Sequence, residues 1–367
     1  MKTVLRAVGA VLIVLVIYLV AWPVPADPVA WVAPVAPGYV DDFSANKRLA
    51  SLRTISLGDE EGPEHVALGP DGKLYVAVAS GKVLRMNPDG TGQQVFADTG
   101  GRVLGFDFDA QGNMVAADAL RGLLSITPNG AITVLLSQIG GTRLSYPDAV
   151  VVARNGMIYL SDASTRFAPR DWGGTFEASV LDILEQSCTG RILAYDPVSR
   201  ETVIMASGLA FANGMALSGD QQSLFVSETG KYRIWKLPVL AQHLDLSLPV
   251  PSSAASIVFD NLPGYPDNLM RGLDGKIWAG LVKPRNATVD KMANQPFLRK
   301  MTLRLPRVLW PVPQPYGHVF AFKEDGTVVA NLQDPSGAYP ETTAVTETAD
   351  RLYVQSLHAK VLGWLPK

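Results

Sequence analysis

The stretch "LMRGLDGKIWAGL" (269–281) has the pattern of a β-hairpin, in which an Asp-Gly turn joins two apolar strands. The same unit recurs in "VALGPDGKLYVAV" (66–78), "FDFDAQGNMVAAD" (106–118), "VVVARNGMIYLSD" (150–162), "MALSGDQQSLFVSE" (215–228) and "AVTETADRLYVQS" (344–356). A third strand follows each hairpin, and a fourth follows most of them. Units of this size, roughly 40 to 60 residues apart, are typical of propeller blades. The sequence therefore predicts an all-β fold, a six-bladed β-propeller.

The two ends of the predicted propeller complement each other. The sixth unit stops after its third strand, "KVLGWLP" (360–366), and a spare strand, "ASLRTISLG" (50–58), precedes the first unit. Pairing of the two closes the ring and removes the open sheet edges that favour aggregation. We therefore assign residues 49–367 to one propeller domain.

The N-terminal residues differ from the rest of the chain. Lys2 and Arg6 precede an apolar run over 7–22, which Pro23 ends. This pattern predicts a transmembrane anchor over 1–22 with the propeller exported. The alternative is a signal peptide cleaved after "VPA" (24–26), which would release a secreted protein. Residues 23–48 are rich in proline and predict an extended spacer.

Composition excludes several classes of protein. The chain is 47% hydrophobic and 18% charged, with 33 Gly and 26 Pro, so it suits a globular protein of short strands and tight turns. Its net charge of −2, without basic runs, argues against a nucleic-acid partner. A single cysteine, Cys188, excludes an intrachain disulfide and a cysteine-based metal cluster.

Polar residues stand at the start of several predicted first strands. Asp267 lies seven residues before the turn residue Asp274, and Asn268 follows it. The same count from the other turns reaches Glu64 in blade one, Leu104 in blade two, Asp148 in blade three, Asn213 in blade four and Thr343 in blade six. First strands line the central channel of a propeller, so these side chains are expected to meet at one mouth.

Several carboxylates in a narrow channel repel one another unless a cation binds between them. An all-oxygen ligand set suits a hard cation, and its many protein ligands favour Ca²⁺ over Mg²⁺. We therefore predict a calcium site formed by Glu64, Asp148, Asn213, Asp267 and Asn268. The alternative is that each residue only caps a local turn.

At these residues the chain resembles the strictosidine synthase-like proteins, and especially their adipocyte plasma membrane-associated protein branch. The resemblance rests on "GPEHVAL" (62–68), "IYLSDASTRF" (158–167), "ILEQSCTGRILAYDPVSRET" (183–202), "FANGMALS" (211–218), "LPGYPDNLMRGLDGKIWAG" (262–280) and "QPFLRKMTLRL" (295–305). The wider group of six-bladed, calcium-dependent hydrolases includes paraoxonases and gluconolactonases. The resemblance implies metal ligands at Glu64, Asn213, Asp267 and Asn268.

The chain departs from this group in three places. Asp148 stands where the related pattern has Asn. No histidine matches the catalytic histidine of paraoxonases, and Glu341 lies about one position from the catalytic glutamate of strictosidine synthases.

We hypothesise a calcium-dependent hydrolase whose small-molecule substrate is a lactone or an aryl ester. Asp267 would act as nucleophile or base, and Glu341 and His65 are candidates for proton transfer. Because His65 follows Glu64 on a strand, it should face the opposite side, as a packing histidine does. The alternatives are a non-enzymatic, membrane-tethered binding module with structural calcium and, third, a strictosidine synthase-type condensing enzyme.

Two insertions interrupt the blades. In 290–313, residues Phe297, Leu298, Met301 and Leu305 recur at helical spacing among arginines and a lysine. This segment predicts a lid over the calcium mouth or a second membrane contact beside 7–22, and the alternative is a helix packed on the propeller. In 167–186, Arg170 and Trp172 are candidate substrate contacts.

Overall fold

Antiparallel sheets arranged as six blades form a ring around a central channel in the computed structural model, which describes residues 1–250 and 253–367. Within these residues, five blades have four strands each, and blade three has a fifth short strand, Leu244–Asp245, that pairs in parallel. The predicted all-β, six-bladed propeller is confirmed.

The strands follow the predicted units closely. Blade one contains His65–Leu68, Leu74–Ala77, Lys82–Met86 and Gln94–Asp98, and blade two contains Val103–Phe108, Met114–Asp118, Gly122–Ile126 and Ile132–Leu136. Blade three contains Pro147–Val152, Ile158–Asp162, Gly190–Tyr195 and Thr202–Leu209, and blade four contains Ala212–Leu217, Ser223–Glu228, Arg233–Pro238 and Ser256–Phe259. Blade five contains Gly264–Arg271, Ile277–Pro284, Gly317–Phe322 and Val328–Asp334, and blade six contains Thr342–Glu347, Arg351–Ser356, Val361–Pro366 and Arg53–Ser56. A small hairpin, Gln138–Ile139 with Thr142–Arg143, links blades two and three.

The ring closes as the sequence predicts. Arg53–Ser56 pairs antiparallel with Val361–Pro366, and Ile55 lies opposite Leu362. The hydrophobic core lies between neighbouring blades, where side chains of facing sheets interdigitate. Tyr353 and Leu362 of blade six, for example, pack against Val66 of blade one. Every blade therefore depends on its neighbours for burial.

The N-terminal apolar run forms helix α1 (Lys2–Ala21), whose mean hydropathy of 2.7 and length suffice to cross a membrane. None of its side chains is buried against the propeller. Residues 23–48 are extended apart from two short 3-10 turns, Asp41–Phe43 and Arg48–Ser51.

The extended segment 23–48 lies on the propeller, a contact that the spacer prediction did not include. The backbone amide of Val29 donates to the carbonyl of Glu185 (2.7 Å), and that of Trp31 donates to the carbonyl of Ala293 (3.2 Å). The ring of Phe43 packs edge-on against Phe320 at 5.1 Å between centroids.

The remaining helices lie on one face of the ring. Helix α2 (Thr175–Glu185) connects the second and third strands of blade three, and α3 (Ala287–Lys291) and α4 (Pro296–Arg304) do the same in blade five. After α4 comes the rim segment, defined here as residues 305–313, which includes the 3-10 turn Arg307–Leu309. Second strands end on the face where first strands begin, so all these elements surround the predicted mouth.

Helix α4 forms within the segment 290–313, but its buried face is not the predicted apolar one. Phe297 is 52% exposed, whereas Arg299 and Arg304 are buried. Arginine is rarely buried unless its guanidinium is paired, and here backbone carbonyls accept hydrogen bonds from both side chains.

Asp182 on α2 provides a test of pH-dependent stability. It is fully buried, neither carboxylate oxygen accepts a hydrogen bond from the described residues, and burial raises its pKa to about 7. Stability from its protonated form is present below pH 3.8 and is lost as the pH rises through about 7. At pH 8 the free energy of unfolding of Asp182→Asn should therefore exceed that of the wild type by about 4 kcal/mol, and the difference should shrink as the pH falls.

Thermal melts of both proteins from pH 5 to pH 8 test this prediction. Asp171→Asn, exposed on the loop before α2, is the control and should give melting temperatures parallel to the wild type. A difference between Asp182→Asn and the wild type that does not grow with pH would contradict the prediction.

Candidate functional site

The first strands of the blades begin at one end of the channel, and their initial side chains meet there. Glu64, Asp148, Asn213 and Asp267 are buried and line one cavity of about 70 Å³. Leu104 adds an apolar wall. The hydroxyl of Thr343 completes the ring beside this cavity by donating to the carbonyl of Glu64 (2.9 Å).

Backbone irregularities aim these side chains. The first strands are bulged between Pro147 and Val150, between Ala212 and Met215, and between Pro266 and Leu269, so the cavity residues sit at the bulges. A bulge re-aims side chains that regular pleating would direct alternately to the two faces. Close packing around the channel supports this geometry, since a Cβ at Gly214 would lie 2.4 Å from the Cα of Asn268.

Buried carboxylates on this face divide into two groups. Asp118, Asp162 and Glu228 end second strands and accept from backbone amides: Arg102 to Asp118 (3.1 Å), Tyr146 to Asp162 (2.7 Å) and Ala210 to Glu228 (2.9 Å). By contrast, Asp148 accepts no hydrogen bond from the described residues, and Asp267 has contacts with Asn213 and the Asn268 backbone. The first group is structural, whereas Asp148 and Asp267 have no cationic partner among the described residues and remain available to another ligand.

The carboxylates that line the cavity repel one another. Burial raises the pKa of Glu64 to about 7, although Arg102 opposes the shift. Burial, followed by repulsion from Glu64, raises the pKa of Asp148 well above its ordinary value. The pKa of Asp267 is raised well above normal by burial and then by Glu64 and Asp148. Protons or a cation would relieve this repulsion.

Arg102 was missed in the sequence analysis. It immediately precedes the first strand of blade two, and its Nη2 lies 3.2 Å from the Oε2 of Glu64. Its Nη1 is buried and has no partner among the described residues. One guanidinium therefore offsets part of the charge of three carboxylates. Its position in the sequence could have indicated this role, because residues just before a first strand lie at the mouth of the central channel.

The donor chemistry of the cavity fits a hard cation. The Oδ1 of Asn213 is buried without a partner among the described residues, while its Nδ2 donates to Thr229 (3.2 Å). Within residues 1–250 and 253–367, no three Asp, Glu, His or Cys side chains lie close enough to hold a metal by themselves. A cation here would therefore need amide oxygens such as that of Asn213 as well as the carboxylates.

A larger apolar pocket of about 230 Å³ adjoins the cavity and shares Asn213 and Asp267 with it. Its walls come from α2, the rim segment and the second strand of blade five. Apolar wall residues are Phe176, Val180, Ile183, Val282, Trp310 and Val312. The polar cavity thus lies at the inner end of an apolar pocket, as in many small-molecule sites.

Glu341 lies beside the cavity in an ion-pair network. It accepts from Lys283, and its other oxygen bonds the Nδ1 of His358. Burial would raise the pKa of Glu341, but hydrogen bonds from His358 and Lys283 lower it to about 2. The Glu341 hydrogen bond raises the pKa of His358, which lines the cavity wall. Glu341 is therefore ionised at neutral pH, and His358 is the group placed to exchange protons.

Sequence comparison identifies the family. The profiles "Strictosidine synthase-like, N-terminal" and "Strictosidine synthase" match residues 41–86 and 148–241. The Arabidopsis thaliana protein Strictosidine Synthase-Like 10 is 30% identical over 342 residues, which cover 85% of this chain and 87% of that protein. This chain belongs to the strictosidine synthase-like family. The adipocyte plasma membrane-associated protein of Salmo salar is 27% identical over 344 residues, covering 87% of this chain and 79% of that protein.

Solved structures similar to this strictosidine synthase-like chain share its fold. A gluconolactonase from Xanthomonas campestris superposes with a TM-score of 0.61 at 21% identity, covering 94% of this chain and 98% of that one. Regucalcin from Agrobacterium tumefaciens, described as a calcium-binding protein, gives a TM-score of 0.57 at 13% identity, covering 86% and 93%. At these identities the likeness establishes the propeller architecture only.

Besides Glu341, two predicted site residues lie outside the cavity wall. His65 is buried against Phe106 (4.7 Å between ring centroids), and burial lowers its pKa to about 4. It faces away from Glu64, as strand alternation requires. Asn268 follows Asp267 into the channel, where its Nδ2 donates to the carbonyl of Glu64 (3.3 Å). Proton transfer by His65 is not supported by this placement.

The candidate substrate contacts in 167–186 also lie elsewhere. Arg170 donates to the carbonyl of Leu144 (2.9 Å), and Trp172 packs on Phe167 (5.7 Å between centroids). Both support the loop before α2, and neither lines the cavity or the apolar pocket. On α2, Phe176 and Val180 line the pocket instead.

Proposed function

We propose that this protein is a calcium-dependent hydrolase of lactones or aryl esters. The observation that carries the proposal is that three buried carboxylates, those of Glu64, Asp148 and Asp267, share one cavity with a single paired arginine, Arg102. The Asn213 Oδ1, which has no partner among the described residues, lies with them at the inner end of an apolar pocket. A hydrolase needs these two parts, a site that stabilises developing charge and a pocket that holds an apolar substrate. The calcium-binding description of a structural relative agrees with the ligand chemistry.

Glu64, Asp148, Asn213 and Asp267 would hold the calcium ion, with Asn268 next to them. Calcium supplies a Lewis acid that polarises a carbonyl oxygen. Within the pocket, Phe176 and Trp310 would orient the apolar part of the substrate and exclude bulk water.

Hydrolysis adds water across the scissile C–O bond, and the chain offers a route for the proton. Asp267 would orient the attacking water or act as nucleophile, since it lines both the cavity and the apolar pocket. His358 would take the water proton at Nε2, because its Nδ1 is bonded to Glu341. The same proton then goes to the departing alkoxide, which leaves a carboxylic acid and an alcohol. Lys283 and Glu341 act as positioning residues for this histidine.

One observation favours a second function, a membrane-tethered binding module with structural calcium. Arg102 already neutralises part of the charge on Glu64, which reduces the field that a catalytic cation would experience. A strictosidine synthase-type condensation is less well supported, because the pKa of Glu341 is lowered to about 2 and its carboxylate is paired twice.

The site lies on the face that carries the end of α1. We propose that α1 is retained as an anchor with the propeller exported, since Lys2 and Arg6 precede its apolar part.

The test is hydrolysis of a panel of lactones and phenyl acetate by the full-length chain in detergent, with calcium and after chelation by EGTA. We expect turnover that requires calcium and returns when calcium is restored. Stabilisation by calcium without turnover of any substrate would instead support the binding module. Turnover that persists in EGTA would contradict the role of calcium.

A further inference from the structure

The end of helix α1 is fixed to the mouth of the pocket. Arg304, the last residue of α4, donates from Nε to the carbonyl of Trp22 (2.6 Å) and from Nη1 to that of Leu19 (2.9 Å). The hydroxyl of Tyr18 donates back to the carbonyl of Arg304 (3.1 Å). A helix of this length spans roughly 30 Å, the thickness of a bilayer core. Tyr18 and Trp22 lie at its end, where aromatic residues mark the membrane boundary.

The chain that follows Arg304 exposes apolar side chains. In the rim segment, Val308 is 87% and Leu309 is 62% exposed, and Val312 is also exposed. Phe297 on α4 is also exposed. A group of large apolar side chains next to a membrane helix is a typical membrane contact and is unfavourable in water.

The apolar pocket passes through this same segment. Trp310 and Val312 line it on one side and Phe176 of α2 on the other, and it ends at Asn213 and Asp267. The two sides are joined by ion pairing between Arg307 and Glu177. The pocket thus connects the polar cavity with the exposed apolar rim.

We propose that the rim segment is seated in the bilayer interface beside α1, and that the pocket takes an amphiphilic ester or lactone with a long alkyl chain directly from the membrane. The ester group of the substrate reaches Asn213 and Asp267, while its alkyl chain stays between α2 and the rim segment. The substrate class rests on the proposed hydrolase function, whereas the membrane seating does not.

The test uses the full-length chain in phospholipid nanodiscs that contain a long-chain lactone with a diazirine in its alkyl chain. After photolysis, mass spectrometry should find adducts on Phe176, Val180, Trp310 or Val312. The double variant Val308→Glu/Leu309→Glu alters two exposed residues that do not line the pocket, so its fold should be preserved. We expect it to reduce labelling of the pocket and hydrolysis of the long-chain lactone about tenfold.

The matched control is Val198→Glu/Leu240→Glu. Both residues are exposed and follow third strands, on the face opposite the mouth, so labelling and hydrolysis should stay at wild-type values. Hydrolysis of water-soluble phenyl acetate should be unchanged in both double variants. Adducts confined to α1, or equal pocket labelling in the rim variant, would overturn the proposal. Pocket labelling without hydrolysis of any ester would reject the hydrolase function and retain the uptake of substrate from the membrane. Hydrolysis of phenyl acetate without pocket labelling would retain the hydrolase function and reject uptake from the membrane.

Discussion

Asp267→Asn is expected to lower kcat/KM for lactone hydrolysis about 10³-fold or more. The side chain lies where the polar cavity and the apolar pocket meet, and it lines both. Asparagine preserves its size but loses the charge that binds a cation and the oxygen that orients water. The measurement is steady-state hydrolysis of phenyl acetate and a lactone at saturating calcium.

The same substitution should change stability in opposite directions with and without calcium. The pKa of Asp267 is raised well above 3.8 by burial and by two neighbouring carboxylates. In calcium-free protein, the stability of its protonated form is present below pH 3.8 and is lost as the pH rises through the folded pKa. At pH 8 and without calcium, Asp267→Asn should therefore be more stable than the wild type.

With calcium the order should reverse. The wild type gains about 2.7 kcal/mol when calcium is 100 times its Kd, and the variant should gain much less. Asp162→Asn is the control, because Asp162 is held by Arg191 (2.8 Å) and the Tyr146 amide, and its loss should destabilise the protein under both conditions. Equal stabilisation of wild type and Asp267→Asn by calcium would remove Asp267 from the ligand set.

The sequence predicted most of the fold because each blade repeats its turn chemistry. Turns with Asp or Asn set the register of the hairpins, and counting back from Asp71, Asn155, Asp220 and Asp274 located Glu64, Asp148, Asn213 and Asp267. Counting back from the turns locates these residues because the turn fixes the register of each hairpin, so equivalent positions of different blades lie at equal depth in the channel.

Residues outside the regular strands could not be found by register. Arg102 and His358 reach the cavity from connections whose length varies between blades, and a count along strands does not apply to them. The buried arginines of α4 reversed the expected helix orientation, because backbone carbonyls of the N-terminal segment provide partners that no local pattern reveals. Periodicity predicted that a helix exists but not which face is buried.

His358→Gln is expected to lower kcat about 10²–10³-fold while calcium binding stays intact. His358 is half exposed on the cavity wall and paired with Glu341, so glutamine keeps a polar side chain but cannot carry a proton. His243→Gln, exposed and outside the residues that line the cavity, is the matched control and should retain wild-type rates. Calcium-induced stabilisation should be the same in all three proteins.

The pH profile separates a catalytic histidine from a structural one. As a base, His358 acts when unprotonated, so kcat/KM should rise with pH through the pKa of His358, which the Glu341 hydrogen bond raises. Glu341→Gln removes the negative charge that stabilises the protonated imidazole, so the acid limb of the profile should move to lower pH. In His358→Gln the limb should disappear. If the Glu341–His358 pair were only structural, both variants would have lower rates but the acid limb of the pH profile would not move. A rate for His358→Gln within about twofold of the wild type would exclude His358 from proton transfer, because general acid–base catalysis contributes far more.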